Sequence, residues 1–101
     1  GLKKTGTIVV NGKHPVNHYL EIIGPEFKVF VVDAASIAVR YRLGSSSNPI
    51  VNTAILGAFS KATGLVGITA VETAIEDHVP ARKENNRKAA RQAYDHVSGT
   101  G

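Results

Sequence analysis

The chain has 101 residues, 43% of them hydrophobic and 20% charged, with 12 Lys and Arg against 8 Asp and Glu, a formal net charge of +4 and no cysteine. That length allows one domain with one modest core, burying about 65% of the surface its unfolded chain exposes, and the ordinary globular composition excludes the disordered class. No apolar run approaches the roughly 20 residues that cross a bilayer, and without thiolates the chain cannot supply the usual ligands of an iron–sulfur cluster, a Cys-rich zinc site or a Cys nucleophile.

Residues 1 to 11, GLKKTGTIVVN, open on Gly rather than Met and read as a turn leading into a strand. Such a start suggests a cut through a longer polypeptide, and the lack of a secretory leader suggests a cytoplasmic protein. Thr7–Asn11 is short, β-branched and nearly all apolar, the pattern of a buried strand. A second such run, Phe27–Asp33, follows Gly24-Pro25. Between them Pro15 and Pro25 forbid one long helix, and Tyr19–Ile23 fits either a third short strand or a helical turn.

From Asp33 the period changes. Asp33 is placed to cap a helix over Ala34–Arg42 with Gly44 as its stop. A polar connector, Gly44 to Pro49, leads into a helix over Ile50–Thr63, whose stripe Val51, Ile55, Ala58, Phe59 and Ala62 is predicted to face the core. Gly64 closes it. Thr69-Ala70-Val71-Glu72 has the spacing of a capping box and starts a helix that buries Val71, Ala74, Ile75 and Val79 and stops at Pro80. The last helix, about Arg82–Val97, is basic in its first part, with Ala89, Ala90, Ala93, Tyr94 and Val97 at helical spacing. It reads as a peripheral amphipathic helix followed by a frayed tail, so that residues 82–101 stand as an appendage on a single domain spanning 1–101.

Two or three strands make a poor sheet for four helices. The expected architecture is therefore an α/β fold, three-layer α/β/α, of which this chain is only a part, the remaining strands coming from a preceding half or from a partner chain.

Few residues invite chemistry. Of the four histidines, His14 and His18 have an i, i+4 spacing, but Pro15 works against a helix there and no cysteine or carboxylate cluster completes a metal site. His78 at a helix end is better explained by the helix dipole than by catalysis. There is no G-x-S-x-G, no G-x-x-x-x-G-K-[ST] and no G-x-G-x-x-G, so no nucleophile elbow or phosphate loop is visible. Arg82, Lys83, Arg87, Lys88 and Arg91 form a basic cluster suited to nucleic acid or to an acidic protein, which defines an alternative reading as a small basic α/β binding module. A solvated helix face explains the same charges, and no aromatic interleaves with them to stack on bases. Asn52 and Thr53 open an otherwise apolar helix after a Gly/Ser/Pro loop, where helix amides could approach an anionic group or simply be satisfied locally or across an interface.

In chain order, the segments GLKKTGTIVVN at 1 to 11, VFVVDAASIA at 29 to 38, NPIVNTAILGAFSKATGLV at 48 to 66 and ITAVETAIEDHV at 68 to 79, with a charged last helix ending in AAxxAY at 89 to 94, resemble the gamma subunit of the 2-oxoacid:ferredoxin oxidoreductases, the pyruvate synthase family. The resemblance implies a non-catalytic subunit or fragment of a complex that decarboxylates a 2-oxoacid, with pyruvate the default substrate, passes electrons to ferredoxin or flavodoxin and forms an acyl-CoA. It implies thiamine diphosphate, Mg2+, [4Fe–4S] clusters and coenzyme A carried by other chains or domains, and alpha, beta and ferredoxin-type delta subunits as partners, with no membrane and no nucleic acid. Gamma subunits resemble this chain only in their C-terminal half; the Gly-rich GxGGQG segment that opens their N-terminal half is absent from the 101 residues. No catalytic residue is transferred to this chain. Asn52 is the one polar residue singled out, as a contact near a cofactor, on the coenzyme A side, or at a subunit interface.

Overall fold

The computed structural model describes residues 6–24, 26–45, 47, 49–79 and 82–99. Strands β1 (Gly6–Asn11) and β2 (Phe27–Val32) pair in parallel from Gly6 opposite Phe27 to Asn11 opposite Val32, and helix α1 (Val16–Ile23) connects them. Parallel neighbours cannot be joined by a tight turn, so the connecting segment must cross over. This settles Tyr19–Ile23 as helix. Pro15 precedes the helix at φ −62°, where its missing N–H is harmless, and Gly24 leaves it at φ 108° with its amide on the Leu20 carbonyl.

Strand β3 (Ser98–Gly99) runs antiparallel to β2, Phe30 opposite Gly99 and Val31 opposite Ser98, giving the order β1-β2-β3. Ser98 and Gly99 are therefore sheet rather than frayed tail; Thr100 and Gly101 lie outside the described residues. Gly99 is required there, since a Cβ would overlap the Phe30 ring.

Phe30 and Val32, with Val9 beside them in register, turn to one face of the sheet, and Val32 and Val9 pack there on Ala34, Ile37 and Ala38 of α2 (Ala34–Arg40), Ala54 and Ala58 of α3 (Asn52–Thr63) and Ala89 and Ala93 of α5 (Lys83–His96). Val29 and Val31, also buried, take the opposite face, where the α1 crossover packs against β2. Helices thus flank both faces of the sheet. A smaller cluster joins Ile68, Val71 and Ile75 of α4 (Ile68–His78) to Ala90.

Helix α2 begins as predicted: Asp33 accepts a hydrogen bond from the Ser36 amide at 3.1 Å. Asn11, at the end of β1, adds a second cap, its Oδ1 accepting from the amides of Ala34 and Ala35 at 3.0 and 3.3 Å. The helix ends two residues earlier than expected. Leu43 N–H bonds the Ala38 carbonyl at 2.8 Å and Arg42 N–H the Val39 carbonyl at 3.1 Å, a Schellman ending in which Arg42, at φ 58°, holds the left-handed position usually given to Gly.

The predicted core stripe of α3 is borne out at Ala58, which is fully buried, with Val51 and Ile55 packed on the margin of the core, and is corrected at Phe59. The buried residues are Thr53, Ala54, Gly57, Ala58 and Ser60, whereas Val51, Ile55 and Ala62 are half-buried and Phe59 is 39% exposed. Small residues win because α5 lies so close to α3 that a Cβ on Gly57 would overlap the Ala90 backbone. The helix starts at Asn52 rather than Ile50, and Gly64, at φ 66°, ends it.

The capping box at Thr69 does not form: α4 starts two residues earlier, Gly67 is its N-cap, and Glu72 instead meets Arg91 at 2.8 Å. Ala74 is exposed, unlike Val71 and Ile75; Pro80, the expected stop, lies outside the described residues. Nor is α5 peripheral. Ala89, Ala90 and Ala93 are fully buried, because the helix lies against both α3 and α4.

Candidate functional site

Asn52 is the first residue of α3 and is exposed. It stands on the wall of a cleft of about 540 Å³ whose lining includes Leu43, Ile50, Leu56, Val79 and Arg82. Behind it Thr53, 7% exposed, donates from Oγ1 to Asn86 Oδ1 at 2.8 Å, and Asn86 Nδ2 donates to the Arg82 carbonyl at 3.0 Å. From the same turn Asn85 Nδ2 reaches the Tyr41 carbonyl and Arg82 Nη1 the Arg42 carbonyl, each at 3.0 Å. These bonds tie the start of α5 to the end of α2 and the start of α3. Arg42 and Arg82, joined in this way, are the described non-glycine residues with positive φ, at 58° and 54°.

The cleft wall is thus fixed by polar contacts on two sides, while its lining is mostly apolar. Sequence reasoning singled out Asn52 and Thr53 but missed Asn85, Asn86 and the Arg42–Arg82 contact. Asn85 and Asn86 were read with the charged surface around them; the available signal was two adjacent amides one turn ahead of the Ala89-Ala90 pair.

The basic cluster is largely neutralised within the molecule. Arg91 meets Glu72 at 2.8 Å, Arg87 meets Glu76 at 3.3 Å, Lys88 meets Glu84 at 3.4 Å, and Lys83 Nζ donates to the Glu76 carbonyl at 2.6 Å. Exposed pairs of this kind add little stability, but they place an anion beside Arg87, Lys88 and Arg91 and weaken the field that a polyanion would feel.

His14 and His18 stack with ring centroids 4.3 Å apart and Tyr19 at the edge of His18. Among the described residues no group of three or more His, Cys, Asp or Glu is disposed to hold a metal ion. His78 ends α4 and His96 ends α5, its Nδ1 2.9 Å from the Gln92 carbonyl. No described helix is long and apolar enough to cross a membrane.

A parallel β-α-β unit with helices on both faces of its sheet, fixed by small-residue helix packing, defines an α/β domain of the open-sheet class. The chain belongs to the pyruvate ferredoxin/flavodoxin oxidoreductase family, whose model matches residues 1–96. It is 46% identical over 97 residues to the pyruvate/ketoisovalerate oxidoreductases common subunit gamma of Pyrococcus abyssi, covering 94% of this chain and 50% of that one. It is 41% identical over 98 residues to the pyruvate synthase subunit PorC of Methanocaldococcus jannaschii, covering 96% and 49%. The crystal structure of pyruvate oxidoreductase subunit PORC from Thermotoga maritima superposes with a TM-score of 0.80 at 31% identity, over all of this chain and 56% of the other. The chain therefore spans about half the length of the curated relatives it matches.

Proposed function

We propose that the chain works as a gamma-type, non-catalytic component of a thiamine-diphosphate-dependent 2-oxoacid:ferredoxin or flavodoxin oxidoreductase that forms acyl-CoA and CO2 in the cytoplasm, with pyruvate as the substrate. The observation that carries this is the identity of 46% with a gamma subunit across 94% of the chain. Alpha, beta and ferredoxin-type delta subunits or domains are its partners, and they carry the thiamine diphosphate, Mg2+ and [4Fe–4S] clusters. With no cysteine in its 101 residues this chain supplies no thiolate to a cluster.

Asn52 is its contact with the reaction, on the coenzyme A side or at the interface that frames it. The cleft beside Asn52 joins apolar walls at Leu43, Ile50 and Leu56 to the Asn52 amide and the Arg82 guanidinium. That set suits the amide-bearing arm and phosphates of coenzyme A, which the chain would hold and orient while the acyl chemistry is supplied elsewhere. The pairing of Arg87, Lys88 and Arg91 with carboxylates favours this reading over a basic nucleic-acid-binding module.

The test is affinity purification of the tagged chain from its native cells, with assay of the eluate for thiamine diphosphate, iron and pyruvate-dependent reduction of a viologen dye. Recovery of the chain alone, in stoichiometric excess over every thiamine- or iron-bearing protein, refutes the assignment. Within an active eluate, Asn52→Ala should raise the KM for coenzyme A several-fold and leave the KM for pyruvate unchanged.

A further inference from the structure

β1 and β2 are parallel neighbours, yet the segments that leave their carboxyl ends go opposite ways. After Asn11 the chain crosses to α1, on the face of Val29 and Val31; after Val32 it enters α2, on the face of Val9 and Val32. Such a divergence opens a crevice outside the carboxyl ends of the two strands, where open α/β sheets bind their ligands. Here the crevice is a cavity of about 330 Å³, within the size range of small-ligand sites. It shares no lining residue with the cleft beside Asn52.

The fold holds the walls of this crevice in place. Asn11 Oδ1 ties the end of β1 to the amides of Ala34 and Ala35, and the Gly12 amide bonds the Val32 carbonyl at 3.0 Å. Residues 12–15 then fold over Tyr19: a Cβ on Gly12 would overlap the Tyr19 hydroxyl, which also accepts from the His14 amide at 3.4 Å. The His14 ring stacks on His18, with centroids 4.3 Å apart. From the other side, the end of α5 brings His96, and β3 brings Ser98, paired with Val31.

Donors dominate the polar part of the lining, with Lys13, His14, His96 and Ser98 around it. Asp33 adds a carboxylate, but Ser36 already donates to both of its oxygens, from the amide at 3.1 Å and the hydroxyl at 2.7 Å. Lys13 Nζ stands 3.8 Å from Asp33, beyond hydrogen-bond reach. A metal cation finds no ligand set, since among the described residues no three His, Cys, Asp or Glu are disposed to hold one. An oxyanion does find partners. His96 Nδ1 lies 2.9 Å from the Gln92 carbonyl, which can only accept, so Nδ1 donates and Nε2 is an acceptor whenever the ring is neutral. Hydrogen phosphate meets both kinds of group: its charged oxygens accept from Lys13 and Ser98, and its P–OH gives a hydrogen bond to an acceptor nitrogen. We infer that this crevice binds a phosphate group, as the free ion or as a small phosphate monoester. Pro15, Val16 and Val31 supply an apolar wall for the organic part of an ester. The site is separate from the coenzyme A contact at Asn52 and stands without it.

Amide NMR spectra of the isotope-labelled chain, titrated with inorganic phosphate at constant ionic strength, test the assignment. Signals of residues 12–14, 33 and 96–98 should shift and saturate, while those of Asn52 and Asn86 stay in place. Sulfate, which has no hydrogen to donate at neutral pH, should bind several-fold more weakly. Lys13→Gln and His96→Gln, both at exposed positions, should together weaken phosphate binding by about tenfold or more and leave the rest of the spectrum unchanged, which shows that the fold is kept. Phenyl phosphate separates the two sources: tighter binding than inorganic phosphate marks an ester seated on the Val16 and Val31 wall, equal affinity marks the free ion, and either supports the site. Shifts that never saturate, that survive the double substitution, or that sulfate reproduces at the same affinity overturn the inference.

Discussion

Gly57 on α3 and Ala90 on α5 meet backbone to backbone, with no room for a Cβ between them. The approach is possible because the facing residues are Ala54, Gly57 and Ala58 on one helix and Ala89, Ala90 and Ala93 on the other, all of them small. Gly57→Ala sets two effects against each other. Helix propensity favours Ala by about 1 kcal/mol, whereas overlap with a fixed carbonyl forces the helices apart at a cost of about 1–3 kcal/mol or more. The second should win, lowering the urea midpoint, and Leu56→Ala on the exposed side should change it far less. A higher midpoint for Gly57→Ala would mean that α3 and α5 are not in contact at this point.

Thr53 is buried, and its hydroxyl donates to Asn86 at 2.8 Å. Thr53→Val keeps the shape and removes the donor, so this buried hydrogen bond to Asn86 is lost, at a cost of about 1–3 kcal/mol. In a double-mutant cycle with Asn86→Ala, measured by urea denaturation, the two losses should not add, because both remove the same bond. Additive losses would show that the pair does not interact.

Much of the fold was legible because it follows local rules: β1 and β2 from β-branched runs, the start of α2 from Asp33, the end of α3 from Gly64. What failed on α3 has one physical cause. Hydrophobic periodicity follows large side chains, so Val51, Ile55 and Phe59 defined the predicted buried face, yet the tightest helix contact selects small ones at Ala54, Gly57 and Ala58. The large residues were not misplaced; they form a partly uncovered surface, which a single-chain pattern cannot tell from a core. α5 was misjudged for a related reason, since three buried alanines carry little hydrophobic signal beside five basic residues. Asn52 was legible as a candidate from the loop before it, but the Arg42–Arg82 contact spans 40 residues and leaves no local trace.

Arg42 sits at φ 58° in the Schellman ending of α2. A left-handed non-glycine residue costs about 1–2 kcal/mol, and the bond from Arg82 is received by the Arg42 backbone carbonyl, which any residue supplies. Arg42→Gly should therefore stabilise the chain by about 1 kcal/mol, less the entropy that Gly adds to the unfolded state. Thermal denaturation should show a rise of a few degrees. A fall would mean that the Arg42 side chain makes a contribution larger than the relieved strain.

The N-terminus of α2 should make stability depend on pH. Burial raises the Asp33 pKa, but the Ser36 hydroxyl and amide bonds and the nearby Lys13 outweigh it, so the carboxyl is held below its ordinary value. A depressed folded-state pKa adds stability that is present above the unfolded value, about 3.9, and is lost as pH falls through the folded one. Asp33→Asn can still cap the helix and should flatten the stability profile in that acid window. Asn11→Ala, which removes the oxygen shared by the Ala34 and Ala35 amides, should instead cost about 1 kcal/mol at every pH. Identical pH profiles for the wild type and Asp33→Asn would remove Asp33 as the titrating group.

Three cations of α5, Arg87, Lys88 and Arg91, are paired with carboxylates of α4 and of its own first turn. Arg91–Glu72, Arg87–Glu76 and Lys88–Glu84 all lie within ion-pair distance, so the wild-type chain should bind a DNA duplex only weakly, with a shallow dependence on salt. Glu72→Gln together with Glu76→Gln leaves the cations in place and removes the anions beside them. Stability should change by less than about 1 kcal/mol, as for other exposed pairs. Affinity for the duplex should rise several-fold at low salt and the salt dependence should steepen, since more cations become available to displace counterions from phosphate. Fluorescence anisotropy across a salt series reads both effects. Tight, steeply salt-dependent binding by the wild type would show that the α4 carboxylates do not screen the helix and would restore the nucleic-acid reading; a double variant no tighter than wild type would show that the pairs do not govern the field of this face.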